Sequence, residues 1–375
     1  MSNAKPLYEV VYEDIKQKIL SDEYKDGSLL PSEREIGEHY DVERTTVRKV
    51  LKMLVEDLLV VKLPGIGTKI TKTKDTRNNS SQQTKENKNK GTIGFFLPPS
   101  LHRIDRISQP FYSMLFYYTE KEARSLGYSF SYYSLCENED FEALLKSQEF
   151  DGIIFVSNIS DKCVQLALSK GIPSVLVNEY NPKIISILAD NTNGMVSICN
   201  HLIELGHQDF LLVTGIPTYL SCKERLMGCK YSFQKHNISK FSILSCDWEP
   251  ETAYQITKEY LLQAKSLPTA IIAFNDNIAF GCLRAINDIG LKVPTDISVV
   301  GFDDIEQSNY SIPPLTTVHE NINLMAKTAI QEILMQIEHP TYFSQFKIIL
   351  PSSVIIRKST AEPSTKKENP HEQLN

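Results

Sequence analysis

From Leu7 to Leu20 apolar side chains recur at Leu7, Val11, Ile15 and Ile19, a four-residue step that places them on one face of a helix. After the turn residues Asp26 and Gly27, Ser32 and Glu35 stand at capping-box spacing, which predicts a short second helix from Ser32 to near Tyr40. A third helix is expected from near Glu43, with Val47, Val50, Leu51, Leu54 and Leu58 at helical spacing. Arg44, Thr45, Thr46, Arg48 and Lys49 crowd its start, so the two short helices read as a helix-turn-helix. Two β-prone runs, 59–63 and 68–70, flank Pro64, Gly65, Ile66 and Gly67, the pattern of a hairpin wing.

Thr71 to Lys90 holds no aliphatic or aromatic residue, so nothing in it offsets the entropy of ordering, and it reads as a flexible linker. Beyond it, strands are expected at 92–97, 128–133, 152–156 and 174–177, with helices near 111–126, 141–148 and 162–170 between them. After a further run at 187–191 the pattern resumes. It gives helix 195–205, strand 210–214, helices 224–236 and 252–262, strand 270–274, helix 278–289 and strand 297–302. Strict alternation predicts parallel sheets, and two such lobes hold a ligand in the cleft beyond the C-terminal strand ends. The fold class is therefore α/β: an N-terminal winged helix-turn-helix over 1–70, a linker over 71–90 and a two-lobed α/β body over 91–358. A tail from Ser359 to Asn375, rich in Lys, Glu, Pro and Asn, is expected to be disordered.

Composition narrows the function. With 41% apolar and 23% charged residues the chain of 375 is not disordered as a whole. No run approaches the roughly 18 apolar residues of a membrane span, and the start lacks a signal-peptide layout, so a cytoplasmic protein is expected. Seven cysteines without a C-x-x-C pair read as small buried apolar residues. The net charge of −6 argues against nucleic acid until the chain is divided: residues 1–90 carry 17 Lys and Arg against 15 Asp and Glu, the remainder 23 against 31. The head is the basic part, and phosphate contact needs only one face of it. Phosphate-loop, dinucleotide-fold, nucleophile-elbow and zinc-protease strings are absent, and the eight histidines show no metal-ligand spacing. No catalytic residue, cofactor or metal is expected.

The string LLPSEREIGEHYDVERTTVRKVLKMLVEDLLVVKLPGIGTKI resembles the winged helix-turn-helix of the GntR family over residues 7–70, through its P-S-E-R opening, its R-T-T-V-R start of helix three and its glycine wing. The resemblance implies Arg34 and Arg44 on phosphates or base edges, Thr45 and Thr46 on phosphates and Arg48 in the major groove. It places the wing around Gly65 and Gly67 in the minor groove, with Lys62 beside it. Arginine forks fit guanine O6 and N7, and a glycine turn lets the backbone come close. A solvated or ion-paired helix face is the structural alternative for Arg34 and Arg48. Lys69 departs from the family pattern after the wing threonine.

HLIELGH (201–207), FNDNIAFGCLRAI (274–286), KVPTDISVVGFDD (292–304) and PPLTTV (313–318) resemble the periplasmic-binding-protein-like effector domain of the LacI/GalR family over about 91–358. A GntR-type head on such a body is similar to the arabinose-repressor group. This implies sugar contacts at Arg225, Trp248, Asn275 and Asp303, with Phe111 over the ligand. It also implies a homodimer on double-stranded operator DNA, released when a neutral monosaccharide such as L-arabinose binds. The chemistry suits: an arginine fork and a carboxylate hold hydroxyls, an amide does both, and an indole covers the C–H face of a pyranose. Each residue also has a structural alternative: Asn275 as a helix cap, Asp303 in a turn, Trp248 in the core, Arg225 in a surface ion pair. Ile322 stands where lactose-type members often carry an aromatic, and Asp190 and Asn191 fall near the lobe crossover, serving hinge or ligand. The rival effectors are a phosphorylated sugar and a purine, and activation is the rival to repression. A phosphate needs further Lys or Arg in the cleft; Arg225 alone is evident, which favours an unphosphorylated sugar.

Overall fold

The structure is a computed structural model that describes residues 7–21, 23–25, 28–56, 59–63, 67–70, 90–99, 106–134, 141–341 and 345–364. They form two compact units, one ending before Asn87 and one beginning there.

In the first unit, Val11, Ile15 and Ile19 bury one face of α1 (Leu7–Leu20) in a core shared with Val47, Val50, Leu51 and Leu54 of α3 (Arg44–Glu56). The expected capping box starts α2 (Glu33–Tyr40): Ser32 Oγ accepts from the Glu35 N–H at 3.3 Å, and the Glu35 carboxylate accepts from the Ser32 N–H at 2.7 Å. Asp41, left-handed at φ 49°, ends α2 and turns the chain toward α3. Strands β1 (Val60–Leu63) and β2 (Gly67–Ile70) pair antiparallel, Val60 opposite Ile70. The Leu30 N–H donates to Thr68 O and the Ile70 N–H to Ser28 O, both at 2.8 Å, so the segment before α2 flanks the hairpin. Leu58, Gly65 and residues 71–89 lie outside the described residues.

The second unit begins with β3 (Thr92–Leu97), α4 (Pro110–Ser125), β4 (Ser129–Ser134), α5 (Phe141–Ser147), β5 (Gly152–Val156), α6 (Asp161–Ser169), β6 (Ser174–Val177) and β7 (Ile185–Ala189). The chain then builds a second lobe from α7 (Asn191–Glu204), β8 (Asp209–Thr214), α8 (Leu220–Lys235), β9 (Lys240–Ser245), α9 (Pro250–Gln263), β10 (Ala270–Ala273), α10 (Asp276–Asp288), β11 (Ser298–Val300) and β12 (Thr317–Glu320). It returns to the first lobe with α11 (Ile322–Glu338) and β13 (Lys347–Leu350), and ends in the second with β14 (Ser352–Ile355), antiparallel to β12. The first-lobe sheet runs β13-β7-β6-β5-β3-β4 and the second β11-β10-β8-β9, both parallel.

The lobes are thus joined after Ala189, Glu320 and Leu350. At the first two crossings one side chain caps the helix that follows: Asp190 Oδ1 accepts from the Asn193 N–H and Asn321 Oδ1 from the Leu324 N–H, each at 3.0 Å. The two caps share a backbone geometry, φ −77° with ψ 73° and φ −79° with ψ 75°.

Some expectations need correction. The run at 187–191 ends as a strand at Ala189, because Asp190 is a helix cap and α7 starts four residues ahead of the expected Met195. Strand β9, unassigned from sequence, is a sheet edge with one face in solvent, so it lacks the apolar run that marked the central strands. The disordered tail does not begin at Ser359. Its hydroxyl is fully buried, donating to Val299 O at 2.6 Å and accepting from the Thr316 N–H at 2.8 Å, and the Ala361 N–H donates to Ser298 Oγ at 3.1 Å. Residues 365–375 lie outside the described residues.

Truncating the chain after Lys358 is therefore expected to destabilise the body by roughly 2–4 kcal/mol, the sum of a few hydrogen bonds and the acceptors left buried. Urea unfolding checks this; an unchanged midpoint returns 359–364 to the tail.

Candidate functional site

On the head, Ser32 fixes the start of α2 and thereby places Glu33 opposite the first turns of α3. Glu33 Oε2 accepts from Arg44 Nε at 2.9 Å and from Arg48 Nε at 3.1 Å, holding side by side two guanidinium groups that are more than half exposed. These contacts, Arg44 first, hold the Glu33 carboxyl below its usual range. Arg34 pairs with Glu38 at 2.8 Å and is 85% exposed, so it extends from the same end of the domain. Thr45 is exposed, its hydroxyl 3.4 Å from Glu43, and Thr46 is half-buried. Pairs this exposed contribute little to stability, so what they supply is orientation. Glu33 was not singled out in the sequence; its clue is the position directly after the Ser32 cap. Lys62 and Gly67 lie on the paired strands of the wing, while Gly65 is outside the described residues.

In the body, a cleft between the lobes is lined by Phe111, Arg225, Trp248, Asn275 and Asp303 together. Arg225, on α8, is 4% exposed rather than a surface residue. Its Nε donates to Asn191 Oδ1 at 2.8 Å, Nη1 to Phe274 O and to Asp303 Oδ1 at 3.2 Å, and Nη2 to Glu320 Oε1 at 2.6 Å. Its planar face lies 3.7 Å from the Phe302 ring centroid. Most of the fork expected to hold sugar hydroxyls is thus engaged by the protein itself. Burial, with like charges nearby, pushes the Asp303 carboxyl well above its usual range against the pull of Arg225; burial likewise raises Glu320.

Asn275 is both things the sequence allowed: its Oδ1 accepts from the Ile278 N–H at 2.8 Å to cap α10, and it lines the cleft. Trp248 packs partly on the second-lobe core, and its indole Nε1 has no partner among the described residues. A Cβ at Gly215 would stand 2.1 Å from that indole, so glycine is required beneath it. Phe111 meets Tyr112 edge to face at 5.1 Å. Ile322 packs against the first-lobe core. Asp190 caps α7, and Asn191 bridges Arg225 to Glu224, so this pair ties the crossover to the site.

The expectation that Arg225 is the cleft's one cation is corrected by Arg106, which is also 4% exposed and lines the same space. It opens a short 3-10 turn before α4, lies 4.5 Å over the Tyr112 ring and 6.0 Å from the ring of Tyr219, and donates to the Tyr112 hydroxyl. No periodicity marks it, and it stands against rings from both lobes, Tyr112 and Tyr219. Gln109 Nε2 donates across the cleft to Glu249 Oε1 at 2.7 Å. Asp276, fully buried next to Asn275 in the chain, accepts from Ser308, Thr317 and the Ile305 N–H. Burial pushes its carboxyl up to about 7, with those hydrogen bonds opposing.

The model of bacterial regulatory proteins of the gntR family matches residues 7–70, and that of the periplasmic binding protein-like domain matches residues 199–360. The chain is similar to the lactose operon repressor of Escherichia coli, 32% identical over 60% of this chain and 63% of that one. It is 29% identical to the HTH-type transcriptional repressor PurR of Aliivibrio fischeri, over 71% of this chain and 82% of the relative. A LacI family transcriptional regulator from Enterococcus faecium, solved with bound ribose, superposes with a TM-score of 0.66 at 26% identity, covering 73% of this chain and all of that one. These relatives are transcription regulators, not enzymes.

The Asp276 carboxyl holds its proton to a higher pH folded than unfolded, where its pKa is about 3.9. Its contribution is full below about 4 and lost as pH rises through about 7, a difference on the order of a few kcal/mol. Asp276→Asn is expected to flatten the fall in stability between pH 5 and pH 8, read by urea unfolding; equal slopes in both proteins refute the assignment.

Proposed function

Because this chain joins a head of the GntR family to a periplasmic-binding-protein-like body of the LacI type, we propose that it is a sequence-specific transcriptional repressor of sugar-utilisation genes. It acts in the cytoplasm and is released from double-stranded operator DNA when a monosaccharide fills the cleft. The observation that carries this reading is the convergence of Phe111, Trp248, Asn275, Asp303 and Arg225 on one interlobe space: ring faces for a sugar's C–H surface and polar groups for its hydroxyls. Repression rather than activation follows the relatives, which are named repressors. A neutral pentose, L-arabinose or one like it, is the effector that the head-and-body architecture implies, and a solved relative carries ribose, also a pentose. A purine or a phosphorylated sugar is the second reading, and the second arginine in the lining favours a phosphate.

On the head, Arg34, Arg44 and Arg48, with Thr45 and Thr46, meet phosphates and base edges, and the wing at Lys62, Gly65 and Gly67 follows the minor groove. Two heads on a homodimer read a pseudo-palindromic operator. Exposed Met114 and Tyr117 on α4, and Met227 and Tyr231 on α8, supply apolar surface for pairing of bodies.

Thermal unfolding of the full chain against pentoses, hexoses, their phosphates and purines tests the body, since a ligand at about 100 times its Kd adds roughly 2.7 kcal/mol. A sugar is expected to raise the melting temperature, and Arg225→Ala or Asp303→Ala to remove the effect; stabilisation by purines alone overturns the sugar reading. For the head, Arg48→Ala is expected to cost about 1–3 kcal/mol on duplexes selected from random DNA and to relax the preference at one base pair. Binding that weakens equally on every sequence instead makes Arg48 a phosphate contact.

A further inference from the structure

We infer that Arg106 is a carboxylate receptor, and that the ligand of this cleft is a sugar acid, an aldonate or uronate, rather than a neutral sugar. The inference rests on the reading of the body as a sugar sensor and sets the charge of what it senses.

Two arginines line the cleft, each 4% exposed, and their surroundings differ. Arg225 is matched by protein charge, with Asp303 at 3.2 Å and Glu320 at 2.6 Å. Arg106 has no such match: among the described residues it makes no ion pair, and its hydrogen bond goes to the neutral hydroxyl of Tyr112. A guanidinium does not shed its proton, so burial leaves it seeking a counter-charge. Tyrosine rings at 4.5 and 6.0 Å supply only part of one. The group is also fixed in place, because the Tyr112 hydroxyl shares a hydrogen bond with Ser157 Oγ at 3.1 Å, and Asn178 donates to Ser157 at 3.2 Å.

The same lining sets the charge and shape of the partner. Glu179, Asp247 and Glu249 stand around the space. Carboxylates there accept sugar hydroxyls and penalise every negative charge the ligand carries, so a single carboxylate, matched by Arg106, is favoured over the dianion of a phosphate ester. One planar fork fits one planar carboxylate through paired N–H···O bonds. Tyr219 neighbours both Arg106 and the indole, its ring 6.0 Å from the guanidinium carbon and 6.3 Å from the Trp248 ring. All three line the same space, so the proposed ligand sets its ring on Trp248 and its acid group on Arg106.

Calorimetric titration of the full chain tests this with D-galacturonate, D-glucuronate and D-gluconate, their parents D-galactose and D-glucose, L-arabinose, and glucose 6-phosphate. A sugar acid is expected to bind about tenfold to a hundredfold tighter than its neutral parent, the usual worth of a hydrogen bond to a charged group. Arg106→Gln is expected to level the two, and Arg106→Lys to keep part of the preference. The wild-type ratio of acid to parent stands as a test even where a variant does not fold. A neutral sugar binding best, or the phosphate binding best, overturns the carboxylate assignment and leaves the sensor reading intact; no binding by any of them overturns both.

Discussion

A guanidinium that cannot lose its charge has been buried at the join of two lobes, and much of the body is arranged around satisfying it. The partners of Arg225 come from the start of α7, the end of β10, the turn after β11 and the end of β12. Two of them are next-door neighbours of the crossover caps, Asn191 beside Asp190 and Glu320 beside Asn321. Removing one member of such a buried set costs about 3–5 kcal/mol, because the remainder is left uncompensated. The constraint that seats Arg225 therefore also anchors the first two of the three crossovers between the lobes.

A second constraint is close approach. The indole of Trp248 occupies the space a Cβ at Gly215 would take, and Asp276 Oδ1 would stand 2.2 Å from a Cβ at Gly301. One glycine lets an aromatic wall lie flat beside the ligand space. The other lets a buried acid reach Ser308 and Thr317 and knit the loop after β11 to β12. Asp303, left-handed at φ 109°, leaves that same loop, so its carboxylate is aimed by a backbone that the Asp276 hydrogen bonds hold in place.

Where one periodicity dominates, the sequence was enough. Val11, Ile15 and Ile19 announced α1, the Ser32 and Glu35 spacing announced α2, and the largely apolar runs of β5, β6 and β10 announced the buried strands. Of the elements not assigned from sequence, α11 does carry helical spacing at Met325, Ala329, Ile330 and Ile333, while others take their pattern from distant partners. Strand β9 has one face in solvent; Ser359 is buried because Val299 and Thr316 lie against it, not because its neighbours in the chain are apolar. The site divides the same way. Arg225, Trp248, Asn275, Asp303 and Phe111 came from motif resemblance, and the geometry brings them to one space. Arg106, Glu320 and Glu33 carry no motif and are defined by what the fold sets opposite them.

The arrangement also limits how a ligand can act. Asp303 Oδ1 is already engaged by Arg225, so a hydroxyl that donates to this carboxylate adds to an existing pair rather than filling an idle acceptor. Any shift of Asp303 is felt by Arg225, and through it by Asn191 and Glu320, at the first two crossovers. The opposite wall of the cleft, with Arg106, Phe111 and Tyr112, belongs to the first lobe. A ligand touching both walls gains its full contact only when the lobes adopt one separation. Binding and lobe geometry are then a single equilibrium, limited by the ligand's differential affinity for the two arrangements, typically about 1–3 kcal/mol of coupling. The Gln109 to Glu249 hydrogen bond sets the reference for that equilibrium, since it already joins the lobes across the cleft, and a ligand must stabilise the joined arrangement beyond what this contact contributes.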